Sequence, residues 1–151
     1  VPSLGFGLGM GRLLMLLEAQ GIELPAPSGC ELYIAPMGED ASVKAMSIVA
    51  DLRAGGISAQ TDVVGRSLKA QMKYADKIGA KYTMVLGDDE IAKGEAVIKD
   101  MDSGETETLS LDGLEDSFMQ LMLRRESDAL RETLTDGLSD ELGGIDITAL
   151  L

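Results

Sequence analysis

The sequence predicts an α/β fold with a mixed, mainly parallel sheet of about five strands and helices on both faces. Two observations lead to this class. Short apolar runs alternate with segments whose apolar residues recur at about 3.6-residue spacing, and glycines or prolines separate most of these segments. A chain of 151 residues, 45% of them hydrophobic, suits one globular body that buries its own core.

Eight elements are predicted between residues 30 and 125. Gly55 and Gly56 end the first helix, Ser67 can cap the second, and Gly79 ends it. The first three strands should be parallel with right-handed crossovers, whereas the turn at 102–104 predicts an antiparallel hairpin. The predicted strands are 30–35, 57–64, 82–86, 96–101 and 106–111, and the predicted helices are 40–54, 67–78 and 114–125.

Changes in composition divide the chain into four parts. Residues 1–24 hold four alternating glycines and an apolar run, expected to form a strand and a helix, and residues 25–29 contain two prolines and predict a linker. Residues 30–124 form the body. Residues 125–151 are an acidic tail, in which leucines at four-residue steps predict a partly helical structure.

Composition excludes several classes of function. The net charge of −13 argues against a general nucleic-acid binder, including a DNA binder. The absence of histidine excludes Ser–His–Asp catalysis and histidine-ligated metal, and no metal site is expected. The single Cys30 indicates a reducing, cytoplasmic location, and no apolar run is long enough to predict a membrane span.

The glycine-rich opening over residues 5–12 carries one candidate site residue. If this segment is extended, its glycines share one face, which a backbone or a flat ligand could approach closely. Arg12 follows, where a guanidinium could hold a phosphate. The spacing matches neither a dinucleotide-binding motif nor a P-loop. The alternative is a packed glycine strand with Arg12 in solvent.

A second candidate is the lysine stripe of the helix over 67–78, formed by Lys69, Lys73 and Lys77 on one face. Arg66 precedes it, and Asp76 is the only acid between residues 66 and 81. Such a local basic surface could meet a few phosphates. The alternative is a solvated face of an amphipathic helix.

Loops that follow parallel strands form the usual ligand crevice of an open sheet. They place Met37, Arg66 and Glu90 at one edge. The acidic run at 88–90 could bind a hard cation, accept hydrogen bonds from base edges or form a polar turn, and its spacing is not that of a calcium loop. No nucleophile has an adjacent base, so the body itself is not predicted to be catalytic.

At these segments the chain resembles a known family. The sequence RSLKAQMKYADKIGAKY at 66–82, with VLGDDE at 85–90 and KGE at 93–95, resembles the anticodon-binding domain of histidyl-tRNA synthetases, which are class II enzymes. The glycine-rich start through Arg12 resembles motif 3 of the same enzymes. The resemblance covers residues 1 to about 124.

The resemblance implies a parent that joins histidine to its tRNA with ATP and Mg²⁺, acting as a homodimer. Arg12 would hold the ATP γ-phosphate in the parent, and the anticodon loop of the tRNA would meet Met37, Arg66, Lys69, Lys73 and Glu90. Motifs 1 and 2 are absent, so this fragment should be inactive alone and need no cofactor. Two alternatives stay open: a synthetase-like regulatory module that binds RNA or protein, and a small-ligand domain with a flavodoxin-like pattern.

Overall fold

The computed structural model describes residues 2–22 and 29–141, so the predicted linker at 25–29 lies almost entirely outside the described residues. The described part contains five helices and five strands. The helices are α1 (Met10–Ala19), α2 (Glu39–Ala54), α3 (Leu68–Lys77), α4 (Asp88–Lys93) and α5 (Leu114–Glu141), and the strands are β1 (Leu32–Pro36), β2 (Ala59–Thr61), β3 (Tyr82–Leu86), β4 (Glu95–Asp100) and β5 (Thr106–Ser110).

The five strands form one mixed sheet in the order β2-β1-β3-β4-β5. Strand β1 lies in the middle of the parallel part and pairs with both β2 and β3. Strand β4 is antiparallel to both of its neighbours, β3 and β5, and the hairpin between β4 and β5 lies at the predicted turn. The mixed sheet, the parallel directions of the first three strands and the antiparallel hairpin are as predicted. The sheet is, however, half parallel rather than mainly parallel, because both pairings of β4 are antiparallel.

Helices cover both faces, as predicted. On one face α2, α4 and α5 pack against a core that includes Leu32, Ile34, Met84 and Phe118. On the other face α3 packs against a smaller core around the fully buried Tyr33. The alternation of side chains along β1 explains this division, because successive residues of a strand point to opposite faces.

Two elements, β2 and α5, differ from the prediction by more than two residues in length. Strand β2 ends at Thr61, although Val63 and Val64 continue an apolar pattern, and both valines are exposed. The chain leaves the sheet here because the Asp62 carboxylate accepts a hydrogen bond from the Arg66 amide and closes a turn. Helix α5 continues well beyond residue 125 because its helical pattern is not interrupted there by glycine or proline.

The glycine-rich opening differs most from expectation. Residues 2–9 form no strand within the described part of the chain, and Met10, Gly11 and Arg12 are the first turn of α1. A strand needs a neighbour to accept its backbone hydrogen bonds, and no described strand pairs with this segment. Helix α1 buries none of its residues. None of the described helices is long and apolar enough to cross a membrane.

Candidate functional site

The strongest candidate site is a cavity of about 520 Å³ at the C-terminal edge of the sheet, defined here as the end where β1, β2 and β3 finish. The loop after β1 forms one wall, and the loop after β2 with the start of α3 forms the other. This is the position where open α/β sheets bind ligands, because successive loops diverge there. The lining residues are Pro36, Met37, Gly38, Glu39, Ser42, Asp62, Gly65, Arg66, Ser67, Leu68 and Gln71.

Arg66 is the charged side chain that is best placed for a ligand in this cavity. Its guanidinium lies 4.5 Å from the centre of the Tyr74 ring, and its Nε lies 3.6 Å from Oδ1 of Asp62. The first contact is a cation–π interaction, and the second is an ion pair too long for a hydrogen bond. Both contacts orient the side chain while leaving about a third of it exposed. The guanidinium therefore keeps hydrogen-bond donors available for an incoming group.

Gln71 holds the two walls of the cavity together. Its Nε2 donates to the carbonyl oxygen of Pro36 at 3.0 Å and to that of Arg66 at 2.8 Å. The first carbonyl belongs to the end of β1 and the second to the loop before α3. The side chain is only 2% exposed, so both bonds are shielded from competing water. This amide sets the distance between the loops.

Tyr33 is isolated from solvent in the smaller core that α3 covers. Its ring lies 5.9 Å from that of Tyr74, and its hydroxyl has no hydrogen-bond partner among the described residues. Burial raises the pKa of Tyr33, and the negative charge of Asp62 raises it further. Tyr33 is therefore a neutral, rigid support for Tyr74 and Arg66.

Positive potential at the C-terminal edge is concentrated at α3. Helices α2 and α4 carry acidic residues in their first turns, which offset the positive ends of their dipoles. Helix α3 has no acid in its first turn, and Arg66 and Lys69 flank its start. The N-terminus of α3 therefore favours an anion, whereas those of α2 and α4 do not.

The structure brings only two of the predicted tRNA-binding residues into this cavity, Met37 and Arg66. Met37 is about half exposed at the rim. Lys69 and Lys73 are exposed and lie outside the cavity lining, with no ion pair among the described residues. A ligand larger than the cavity is needed to reach both the cavity and the lysine stripe.

Glu90 lies on α4, where the sequence analysis expected a loop. Its Oε2 accepts a hydrogen bond from the Gly87 amide at 2.9 Å and caps the helix. One carboxylate oxygen is therefore engaged in structure, and Glu90 is not part of the cavity lining. A six-residue helix between two glycines leaves too short a periodic pattern to detect in the sequence.

Sequence reasoning missed Asp62, Gln71 and Tyr74. The signal for Gln71 was present, because it shares the helical face of Leu68, Met72 and Ala75, where a polar residue is unexpected. Asp62 was hidden within an apolar run that resembled the continuation of β2. The role of Tyr74 depends on Arg66 folding back over α3, which no local pattern reveals.

Arg12 is not one of the residues that line this cavity. It is exposed on α1, and no second cation or hydrogen-bond partner accompanies it among the described residues. A triphosphate requires several converging donors, so the described residues do not form an ATP site. The described part also contains no cluster of three acidic or sulfur ligands for a metal ion.

A larger cavity, of about 850 Å³, lies at the opposite end of the sheet. Its charged side chains are largely paired with one another: Lys81 with Glu31 at 3.1 Å, and Arg125 with Glu105. Asp100 accepts two amide hydrogen bonds from its own turn. These contacts hold α5 and the hairpin in place, and they leave few charged groups free to bind a ligand.

Comparison with known proteins agrees with the fold. Residues 31–121 match the family described as "Anticodon binding domain". The chain is 53% identical over 111 residues to the histidine–tRNA ligase of Clostridium perfringens, covering 74% of this chain and 27% of that protein. It is 51% identical over 113 residues to the histidine–tRNA ligase of Acetivibrio thermocellus, and the match covers 75% of this chain and 27% of that protein.

Solved structures give the same result. Apo histidyl-tRNA synthetase from S. aureus superposes with a TM-score of 0.59 and 42% identity over 72% of this chain and 32% of that chain. Histidyl-tRNA synthetase from Nostoc sp. PCC 7120 superposes with a TM-score of 0.57 and 26% identity, over 76% of this chain and 28% of that chain. The chain thus spans about a quarter to a third of the relatives that it matches. It belongs to the anticodon-binding domain family, as a homologue of the C-terminal region of histidyl-tRNA synthetases.

Proposed function

We propose that the C-terminal edge of the sheet binds the anticodon loop of a histidine tRNA. The observation that carries this proposal is the placement of Arg66. Its side chain is about a third exposed in the cavity and lies beside the start of α3, which has no acidic residue in its first turn. An anticodon loop is single-stranded and offers both phosphates and unpaired base edges. A cavity with an adjacent basic helix suits both.

The lysine stripe extends this surface beyond the cavity. Lys69 and Lys73 lie one helical turn apart on the exposed face of α3. Their ammonium groups have no partner in the described part of the chain, so they can meet backbone phosphates without breaking an existing ion pair. They supply affinity rather than sequence discrimination, because phosphate contacts carry no direct information about the bases.

Met37 and Glu90 complete the proposed surface. The exposed Met37 side chain offers an adaptable apolar contact for a base at the rim of the cavity. Glu90 has one carboxylate oxygen beyond the one that caps α4, and that oxygen can accept from a base amine. Its tie to Gly87 holds the carboxylate in one orientation.

The parent protein is proposed to be a cytoplasmic, homodimeric histidine–tRNA ligase that uses ATP and Mg²⁺. Residues 1–24 would be the end of its catalytic domain, 25–29 a linker, 30–124 the anticodon-binding domain and 125–151 an acidic tail. Arg12 would contact the ATP γ-phosphate only within the complete catalytic domain, since it is isolated here. The fragment alone should not activate histidine, because catalysis of this kind depends on positioning the reactants.

The test is a salt titration of the full chain binding to a histidine-tRNA anticodon stem-loop. Arg66→Ala should weaken binding by about 1–3 kcal/mol, the range for a bidentate contact. Lys69→Ala should mainly reduce the slope of log affinity against log salt, by roughly 0.7 for one phosphate contact on a single strand. The two variants therefore separate a base or bidentate contact from a purely ionic one.

Lys44→Ala is the matched control. Lys44 is also exposed but lies on α2, on the opposite face of the sheet. Its removal changes the net charge by the same amount and should leave the slope nearly unchanged. Circular dichroism establishes that all variants are folded. Equal slopes and affinities for Lys69→Ala, Arg66→Ala and Lys44→Ala would contradict the proposed site.

A further inference from the structure

The cavity of about 850 Å³ is a groove between α5 and the edge of the sheet at which β1 and β3 begin, and we call it the α5 groove. Its lining includes Ile57, which is buried in the core, and Met119 and Met122, which are partly buried and pack against the same core. Leu123 also lines the groove and is 58% exposed. The α5 groove therefore offers an apolar surface at the end of the sheet opposite to the proposed tRNA site.

Helix α5 carries apolar side chains beyond the part that packs against the sheet. Leu121 is its last buried residue among those whose side chains the structure describes, yet the helix continues to Glu141. Leu130 and Leu134 are 60% and 56% exposed, and with Leu123 they recur at helical spacing on one face. Single exposed leucines are common, whereas a stripe that continues out of a groove is typical of an interaction surface.

The α5 groove has an excess of negative charge. Its two basic side chains are both paired with acids of the same groove, Lys81 with Glu31 at 3.1 Å and Arg125 with Glu105. Three further carboxylates line the groove and have no ion pair among the described residues: Asp100, Glu126 and Asp128. A partner that fills the groove must therefore bring positive charge together with apolar side chains.

This combination decides between the possible occupants of the groove. RNA and anionic lipid surfaces are polyanions, which the unpaired carboxylates repel. A second copy of the chain carries a net charge of −13 and is repelled for the same reason. A helix with apolar residues on one face and lysine or arginine on the other meets both requirements. The two methionines suit such a helix, because their flexible side chains adapt to its apolar face.

We propose that the α5 groove docks a basic amphipathic helix of another protein chain. The apolar face of that helix packs along α5 from Met119 to Leu134, a distance of roughly 22 Å at 1.5 Å per residue. Its cationic face meets Glu126 and Asp128. The proposal does not depend on the proposed tRNA site, which lies at the other end of the sheet.

The test is a titration of the full chain into a fluorescently labelled peptide of about 18 residues, with leucines on one helical face and lysines on the other. Fluorescence anisotropy reports binding. One control peptide has glutamate in place of every lysine, and a second has the original composition in a scrambled order without an apolar face. Both controls should bind at least about tenfold more weakly than the amphipathic peptide.

The apolar contact is tested with Leu123→Gln. Burying the exposed part of this leucine contributes about half of a full leucine burial, so the variant should weaken peptide binding roughly tenfold. Met46→Gln is the matched control, because Met46 is 60% exposed on α2 and does not line the groove. It should leave the affinity unchanged. Both positions are exposed, and circular dichroism establishes that the variants are folded.

The charge contact is tested with the double variant Glu126→Gln and Asp128→Asn. It should weaken binding about threefold or more at low salt, and by much less at about 0.5 M salt. The control double variant, Asp112→Asn and Glu115→Gln, removes the same charge at the start of α5, away from the groove. It should leave the affinity nearly unchanged.

The outcomes decide both the site and the partner. Equal binding of the amphipathic and scrambled peptides would overturn the proposal, because the chain would then attract any cation. Equal affinities for Leu123→Gln and Met46→Gln would place the contact outside the α5 groove and overturn it as well. Sedimentation of the chain alone tests the second copy: a dimer that Leu123→Gln dissociates would show that the groove is filled by the chain itself, against the proposed partner.

Discussion

Replacing Gln71 with leucine should destabilise the domain by about 1–3 kcal/mol. The variant removes the donors that satisfy the buried carbonyls of Pro36 and Arg66, and each lost bond of this kind costs roughly 1–2 kcal/mol. It also removes the buried Oε1, which has no hydrogen-bond partner among the described residues and is therefore unfavourable, and this returns about 1 kcal/mol. The apolar leucine fills most of the same space, so the cavity contribution is small.

The assay is urea unfolding at neutral pH, followed by circular dichroism and analysed by linear extrapolation. Gln60→Leu is the matched control, because Gln60 is a partly exposed glutamine of the edge strand β2. We expect the control to change the free energy of unfolding by less than about 0.5 kcal/mol. Equal stability of Gln71→Leu and Gln60→Leu would refute the view that Gln71 joins the two loops.

Two further predictions concern the core. Phe118→Ala should cost about 3–5 kcal/mol, since the ring is fully buried and packs edge-on against Tyr82 at 5.3 Å; a urea midpoint equal to that of the wild type would show that α5 is not docked on the sheet. Burial raises the pKa of the Cys30 thiol, so a thiol reagent should label it slowly at neutral pH and rapidly once urea unfolds the chain; equally fast labelling in native buffer would contradict its burial.

The parts of the fold that the sequence predicted well are those with strong local signals. Strand β3 has its predicted bounds because Gly79 and Gly87 delimit an apolar run. The bounds of α2 differ from the prediction by one residue, since its apolar period is clear and two glycines follow it. Such elements can be predicted from the local sequence alone, without knowing which distant residues they contact.

The errors have a different cause: in each case the structure depends on a contact or a pairing partner that the local apolar pattern does not reveal. Val63 and Val64 resemble strand residues, yet they are 78% and 69% exposed because the turn at Asp62 directs them outward. The glycine-rich opening resembles a strand, but no described strand pairs with it. Gln71 could not be assigned to the cavity until the loops it joins were placed together.

Opposite faces of the sheet carry opposite charge, and this polarity determines how a polyanion approaches. Helix α3 holds three lysines and one aspartate, whereas α5, on the other face, has eight acidic residues and three arginines in its sequence. For the tRNA proposed above as the partner, such an asymmetric field favours approach to the α3 face and repels the tRNA from the α5 face. Because the chain as a whole is strongly negative, the attraction to α3 acts at short range, where salt does not fully screen it. An acidic domain can in this way direct a negatively charged partner to one face while avoiding indiscriminate binding to other nucleic acids.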